Sequence, residues 1–275
     1  MANLFKTMVH RSRASGLPPL EEIERFGADG EEAIYRLLSE NLDCVIRNVA
    51  IPHKTLYLEK DFFVGHLGVP FVLEVKHWKG KIGCKDGVFY QNKENGVHKE
   101  LKSPVGTTNQ FIHCMKKFYR LERPIWGIVV FAGEDCTLDL PDEIDGVALL
   151  PASRVFSYIK KKCREEEKGF EPIDPSRLLR CTRLYDGTGE FCKGILANDT
   201  IACTAEDGAE VLLDTTRLSF ITCEHQNLRL RDKLYVTFDD GTSGVFYARD
   251  LQLTLHCLDG SWKSFSASRI RYIVF

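Results

Sequence analysis

The sequence lacks an excess of charge of either sign, a long apolar run and any closely paired cysteines, and each absence removes a class of function. Lys and Arg number 37 against 39 Asp and Glu, a formal net charge of −2. That balance excludes a globally basic nucleic-acid binder but leaves room for a local basic patch. No stretch reaches the roughly 18 apolar residues that a transmembrane helix needs. The opening Met1-Ala2-Asn3-Leu4-Phe5-Lys6 has no apolar core of signal-peptide length, so a cytoplasmic protein with no membrane partner is expected. Ten cysteines contain no Cys-x-x-Cys, and Cys223-Glu224-His225 is a tight Cys/His pair without a second such cysteine beside it, so the usual zinc spacing is missing. Spread between Cys44 and Cys257, the thiols read as buried and reduced.

What is present suits one large or two ordinary domains: 275 residues, 44% apolar and 28% charged. From Ala28 to Asn41, the apolar residues Ile34, Leu37, Leu38 and Leu42 recur on one helical face. Apolar runs follow at Val45–Ile51, Tyr57–Gly65 and Pro70–Lys76, then a hairpin around Lys81–Gln91 turning at Asp86-Gly87. Thr107–Leu121 is helical again, Trp126–Phe131 and Gly146–Leu150 read as short strands, and Ser153–Lys168 as a helix with a solvated charged end. This alternation predicts a mixed α/β (α+β) domain over residues 1–175.

Beyond Pro175 helical periodicity stops, which predicts an all-β domain over 176–275. Asp-Gly turns recur at 186-187, 207-208, 240-241 and 259-260, with offsets of 54 and 52 residues, and Arg217 and Arg269 occupy matching places. The pattern reads as an internal duplication, repeats 180–229 and 232–275, each a pair of hairpins. Two small barrels or one eight-stranded unit would both satisfy it.

The segment Leu58–Lys76 carries charges inside apolar strands. Glu74 and Lys76 are two apart and share a strand face. If Leu67-Gly68 form a two-residue turn, Asp61 lies directly opposite Glu74, with Cβ atoms about 4.5–5.5 Å apart. Phe62, Val64, Phe71, Leu73 and Val75 then point to the other face, and a slip of one residue would separate the carboxylates. Two carboxylates so close repel unless a cation lies between them, and hard oxygen donors suit Mg²⁺ or Mn²⁺. Lys76 beside them could activate water or stabilise charge on a phosphoryl oxygen. Glu31 shares the inward face of the first helix with Ile34 and Leu38, and Pro104–Gln110 opens the next long helix with polar groups. Residues 76–124 hold 11 Lys and Arg against 4 acids, a local charge of +7. Lys79, Lys81, Lys116, Lys117 and Arg120 are the candidate phosphate contacts.

Gly27-x-x-Gly30-Glu31, Asp61, then Glu74-Val-Lys76-His-Trp-Lys-Gly-Lys-Ile82 and Pro104…Gln110 together resemble the NERD (nuclease-related) domain, over about residues 26–122. That family belongs to the PD-(D/E)XK nuclease-like superfamily. The resemblance implies Asp61 and Glu74 as metal ligands, Lys76 as catalytic lysine, Glu31 as accessory acid and Gln110 as a helix residue reaching the site. It also implies a metal-dependent endonuclease using Mg²⁺ or Mn²⁺, with DNA favoured over RNA, in defence or DNA processing. The sequence departs from the family where Lys60 and Phe62 stand for an apolar residue and a histidine, and in a longer gap from Pro104 to Gln110. The C-terminal β domain would serve recognition, regulation or homo-oligomerisation. The alternative is a catalytically inactive nucleic-acid-binding or protein-interaction protein on a relic nuclease fold.

Overall fold

Short-range signals account for most of the elements. The computed structural model describes residues 22–92, 96, 98–133, 135–166, 173–174, 177–186, 191–226, 231–249, 251–266 and 269–275, without the side chains of 22–29, 186, 191, 225–226 and 231. Of the sequence features read above, Lys168, Pro175 and Gly187 lie outside the described residues, as do Lys93 and Glu94 of the charges counted over 76–124. The chain divides into two compact units, Arg25–Arg180 and Cys181–Phe275. Among the described residues no helix is long and apolar enough to cross a membrane.

In the first unit, helix α1 (Glu22–Ser39) leads into strands β1 (Cys44–His53), β2 (Leu56–His66) and β3 (Val69–Lys76). A small sheet of β4 (Gly80–Lys85), β5 (Val88–Asn92) and β6 (His98–Leu101) follows. Helix α2 (Pro104–Tyr119) comes next. Its start is fixed by proline in the first turn and by the Ser103 hydroxyl, which accepts the Gly106 N–H; its end is fixed by left-handed Arg120. The chain then forms β7 (Trp126–Phe131), β8 (Cys136–Asp139), β9 (Glu143–Ile144), β10 (Val147–Pro151), α3 (Ala152–Glu165) and β11 (Leu179–Arg180).

The main sheet has the order β11-β1-β2-β3-β7-β10-β9, antiparallel from β11 to β3 and parallel from β3 through β7 to β10. One face packs Phe62, Phe71, Leu73 and Val130 against Ile34 and Leu38 of α1 and Val155 and Ile159 of α3. The other packs Val49, Phe63 and Val72 against Phe111 and Met115 of α2. The result is a three-layer α/β/α arrangement.

Among the described residues the second unit is one ten-stranded sheet, with a 3-10 turn at Thr215–Arg217. Its strands are β12 (Thr182–Asp186), β13 (Phe191–Leu196), β14 (Thr200–Ala205), β15 (Glu210–Asp214), β16 (Leu218–Gln226), β17 (Arg231–Phe238), β18 (Ser243–Ala248), β19 (Gln252–Cys257), β20 (Trp262–Ser266) and β21 (Ile270–Val274). The order β15-β14-β18-β17-β16-β21-β12-β13-β19-β20 reads the same from either end once β12–β16 are exchanged for β17–β21. Registers repeat too: Thr182↔Gly194 corresponds to Leu234↔Phe246, and Thr200↔Asp214 to Gln252↔Ser266, each 52 residues on. At the centre Ile221 pairs with Ile273, again 52 residues on.

The hairpins read from the sequence are present, β12–β13, β14–β15, β17–β18 and β19–β20, but they join in one ten-stranded sheet instead of two small barrels or an eight-stranded unit. Strands from the two halves of the sequence interleave: β13 pairs with β19, and β14 with β18. The contiguous half of the sheet is therefore β14–β18, and the other half joins β12 and β13 to β19–β21. Turn spacing locates strands, but it does not decide which distant strand a hairpin's free edge pairs with.

Candidate active site

The β2–β3 hairpin turns at Leu67 and Gly68, both with positive φ (48° and 80°). A two-residue turn of that kind matches the twist of the strands it joins. The ladder runs Phe62↔Leu73, Phe63↔Val72 and Val64↔Phe71, the register that carries Asp61 to the level of Glu74. There the strands part, and the Asp61 Oδ2 accepts the Val75 N–H at 2.6 Å in place of a backbone carbonyl.

A second irregularity brings an unexpected group. Leu58 packs on the α2 face and Phe62 on the α1 face, although residues four apart in a regular strand share a face. The break lies opposite Asn48, which is left-handed (φ 52°) and buried, between the pairs Arg47↔Phe62 and Val49↔Lys60. Asparagine tolerates this conformation better than most residues. In consequence the neighbours Lys60 and Asp61, which a regular pleat would send apart, both reach the Glu74 region. Lys60 Nζ donates to Glu74 Oε2 at 2.6 Å and to Thr107 Oγ1 of α2 at 3.2 Å. Lys76 Nζ donates to the other oxygen, Glu74 Oε1. Sequence reasoning missed Lys60; its one signal was a charge where the family pattern is apolar.

The electrostatics follow from this packing. Burial, then the charges of Glu74 and Glu31, push the Asp61 carboxyl well above the usual carboxylate range. Burial also opposes the charge on Glu74, but Lys76 and Lys60 outweigh it and hold that carboxyl below its ordinary value. Burial works against the Lys76 ammonium as well, yet Glu74, Asp61 and Glu31 raise its pKa. An aspartate that binds its proton more tightly folded than unfolded loses native stability as pH rises from the ordinary carboxylate value towards the native one. Asp61→Asn keeps an acceptor for Val75 and removes that loss. We expect the variant to match the wild type in acid and to melt a few °C higher at neutral pH without metal, as about 1 kcal/mol produces in a domain of this size. Equal melting temperatures at pH 4 and pH 8 would contradict it.

Glu31 enters from α1, near enough for its charge to act on both Asp61 and Lys76. Gly30 allows that approach: a Cβ there would lie 2.6 Å from Nδ1 of His77 and 3.5 Å from Cβ of Ala132. Gly30→Ala is expected to cost about 1–3 kcal/mol, the usual penalty of overpacking, measured by urea unfolding. An unchanged midpoint would show that His77 yields freely.

The remaining candidates are distributed along the fold. Gln110 is exposed on α2, and the α2 side chain that reaches the cluster is Thr107, one turn earlier. Lys79 and Lys81 are exposed just beyond Lys76, with Lys81 paired to Asp139 at 2.8 Å. Lys116, Lys117 and Arg120 sit at the far end of α2, and Arg120 is about 20 Å from Thr107 at 1.5 Å per residue. The basic residues thus fall into two groups, one following Lys76 in the chain and one at the far end of α2.

Among the described residues no group of three or more His, Cys, Asp or Glu side chains stands close enough to hold a metal ion alone. The donor chemistry of Asp61 and Glu74 nevertheless fits a hard divalent ion, because Mg²⁺ usually keeps several waters and takes only one or two carboxylates. Glu74 would have to exchange one ammonium for the ion. No curated protein matches the chain. The family model of the nuclease-related domain matches residues 26–132, the family that the Gly27–Gln110 motifs resemble.

Proposed function

We propose that the Arg25–Arg180 unit is a metal-dependent endonuclease that hydrolyses phosphodiester bonds, with DNA the favoured substrate. The observation that carries this is the convergence of Asp61, Glu74 and Lys76, with Glu31 facing them, at the point where β2 and β3 separate. Asp61 and Glu74 would hold Mg²⁺ or Mn²⁺, which when bound polarises a phosphoryl oxygen and eases deprotonation of the attacking water. Lys76 supplies positive charge where the transition state gains negative charge. Lys79 and Lys81 lie close enough in the chain to meet the phosphates flanking the scissile bond, and the α2 end would meet phosphates further along. The Cys181–Phe275 unit we read as an internal duplication serving recognition, regulation or homo-oligomerisation.

A non-enzymatic reading has one observation in its favour, that both Glu74 oxygens are already taken by lysines. Labelled single- and double-stranded DNA and RNA, incubated with Mg²⁺, Mn²⁺ or EDTA, separate the two. Metal-dependent cutting that EDTA stops supports the nuclease. A protein that cuts none of them, and binds them equally well after Asp61→Ala, is a binding protein.

A further inference from the structure

Lys60 has a place in this site that its family resemblance does not assign. Its side chain is 4% exposed, against 13% for Glu74 and 26% for Lys76. It is held at two points, by Glu74 Oε2 and by Thr107 Oγ1, and Thr107 in turn donates to the Pro104 carbonyl at the start of α2. Lys76 is the more exposed of the two ammoniums on Glu74, so it is the one free to give way without breaking the packing between β2 and α2. Asp61 and Glu74 stand with two ammoniums, Lys60 and Lys76, and the charge of Glu31 reaches Asp61 and Lys76 from α1. A divalent ion arriving among them meets one positive charge that can swing aside and one that cannot.

We propose that Lys60 is a tethered cation that reserves Oε2 of Glu74, so that Glu74 offers a divalent ion only Oε1, the oxygen now taken by Lys76. Lys60 is then a positioning residue: it fixes the rotation of the Glu74 carboxylate, limits the site to one ion, and occupies ground that a second ion would need. Displacement from Oε1 also leaves the Lys76 ammonium available to substrate. This rests on the metal-dependent reading above.

The test is Mn²⁺ titration of the full chain without nucleic acid, by calorimetry and by the electron paramagnetic resonance signal of unbound Mn²⁺. The wild type is expected to take one ion. Lys60→Met removes a like charge within hydrogen-bond distance of the ligand, so Mn²⁺ should bind about tenfold more tightly or more, or a second ion should enter. Lys60→Gln removes the charge while keeping an N–H donor on a side chain one atom shorter; it should behave the same way and covers a methionine variant that does not fold. A merely structural lysine would give weaker binding in either variant. One ion in the wild type, with equal or weaker binding in the folded variants, overturns the Lys60 assignment alone. No Mn²⁺ binding by the wild type at millimolar concentration overturns the metal-dependent reading beneath it.

Discussion

Replacing Glu74 with alanine is expected to abolish cleavage and to lower the stability of the Arg25–Arg180 unit by about 3–5 kcal/mol, the usual cost of leaving a buried charge without its partner. The reason is Lys60. With 4% of its side chain exposed and its ammonium 2.6 Å from Glu74 Oε2, it has no route to bulk water once the carboxylate is gone, and the Thr107 hydroxyl alone does not neutralise it. Urea unfolding of the metal-free protein measures the loss. The double variant Glu74→Ala/Lys60→Met should recover most of the stability and none of the cleavage, because it removes both charges together. That recovery distinguishes a carboxylate with two roles from one that only holds the sheet. If the single variant unfolds at the wild-type midpoint, the Lys60–Glu74 pair contributes nothing and Lys60 is solvated in solution.

Lys76→Ala should behave in the opposite sense. Cleavage is expected to fall by about 10²–10³, the effect of deleting one group that stabilises charge in a transition state. Stability should change little by comparison, because Glu74 keeps Lys60 and Lys76 is partly open to solvent. Mn²⁺ binding should survive or tighten, since the ammonium that competes for Oε1 has gone. Single-turnover cleavage at saturating metal, alongside Mn²⁺ titration, checks both parts. A variant that keeps more than a tenth of the wild-type rate would remove Lys76 from the chemistry. One that no longer binds Mn²⁺ would make it structural.

Much of this site was legible in the sequence because it rests on short-range rules. Helical spacing located α1 and α2, and the Leu67-Gly68 turn set a register in which Asp61 meets Glu74. Two-residue alternation put Phe62, Phe71 and Leu73 on the core face under α1. Gly30 and Glu31 were visible as a motif, though the contact with His77 that requires the glycine was not. In the second unit the recurring Asp-Gly turns pointed to a 52-residue period, which the strand registers also follow.

Tertiary structure decided the rest. Lys60 reaches Glu74 because Asn48, on the neighbouring strand, turns left-handed and breaks the alternation of β2 at that level; a pattern read along one strand assumes the pleat continues. Thr107 meets the cluster and Gln110 is exposed because the rotation of α2 about its axis is set by Phe111 and Met115 packing on the sheet. The interleaving of β12–β16 with β17–β21 depends on pairings such as β13 with β19, some sixty residues apart. Periodicity and turn chemistry act over a few residues and so are written in the sequence itself. The partner of a strand, the face of a helix and the counter-ion of a buried charge are chosen by segments that meet only once the chain has folded.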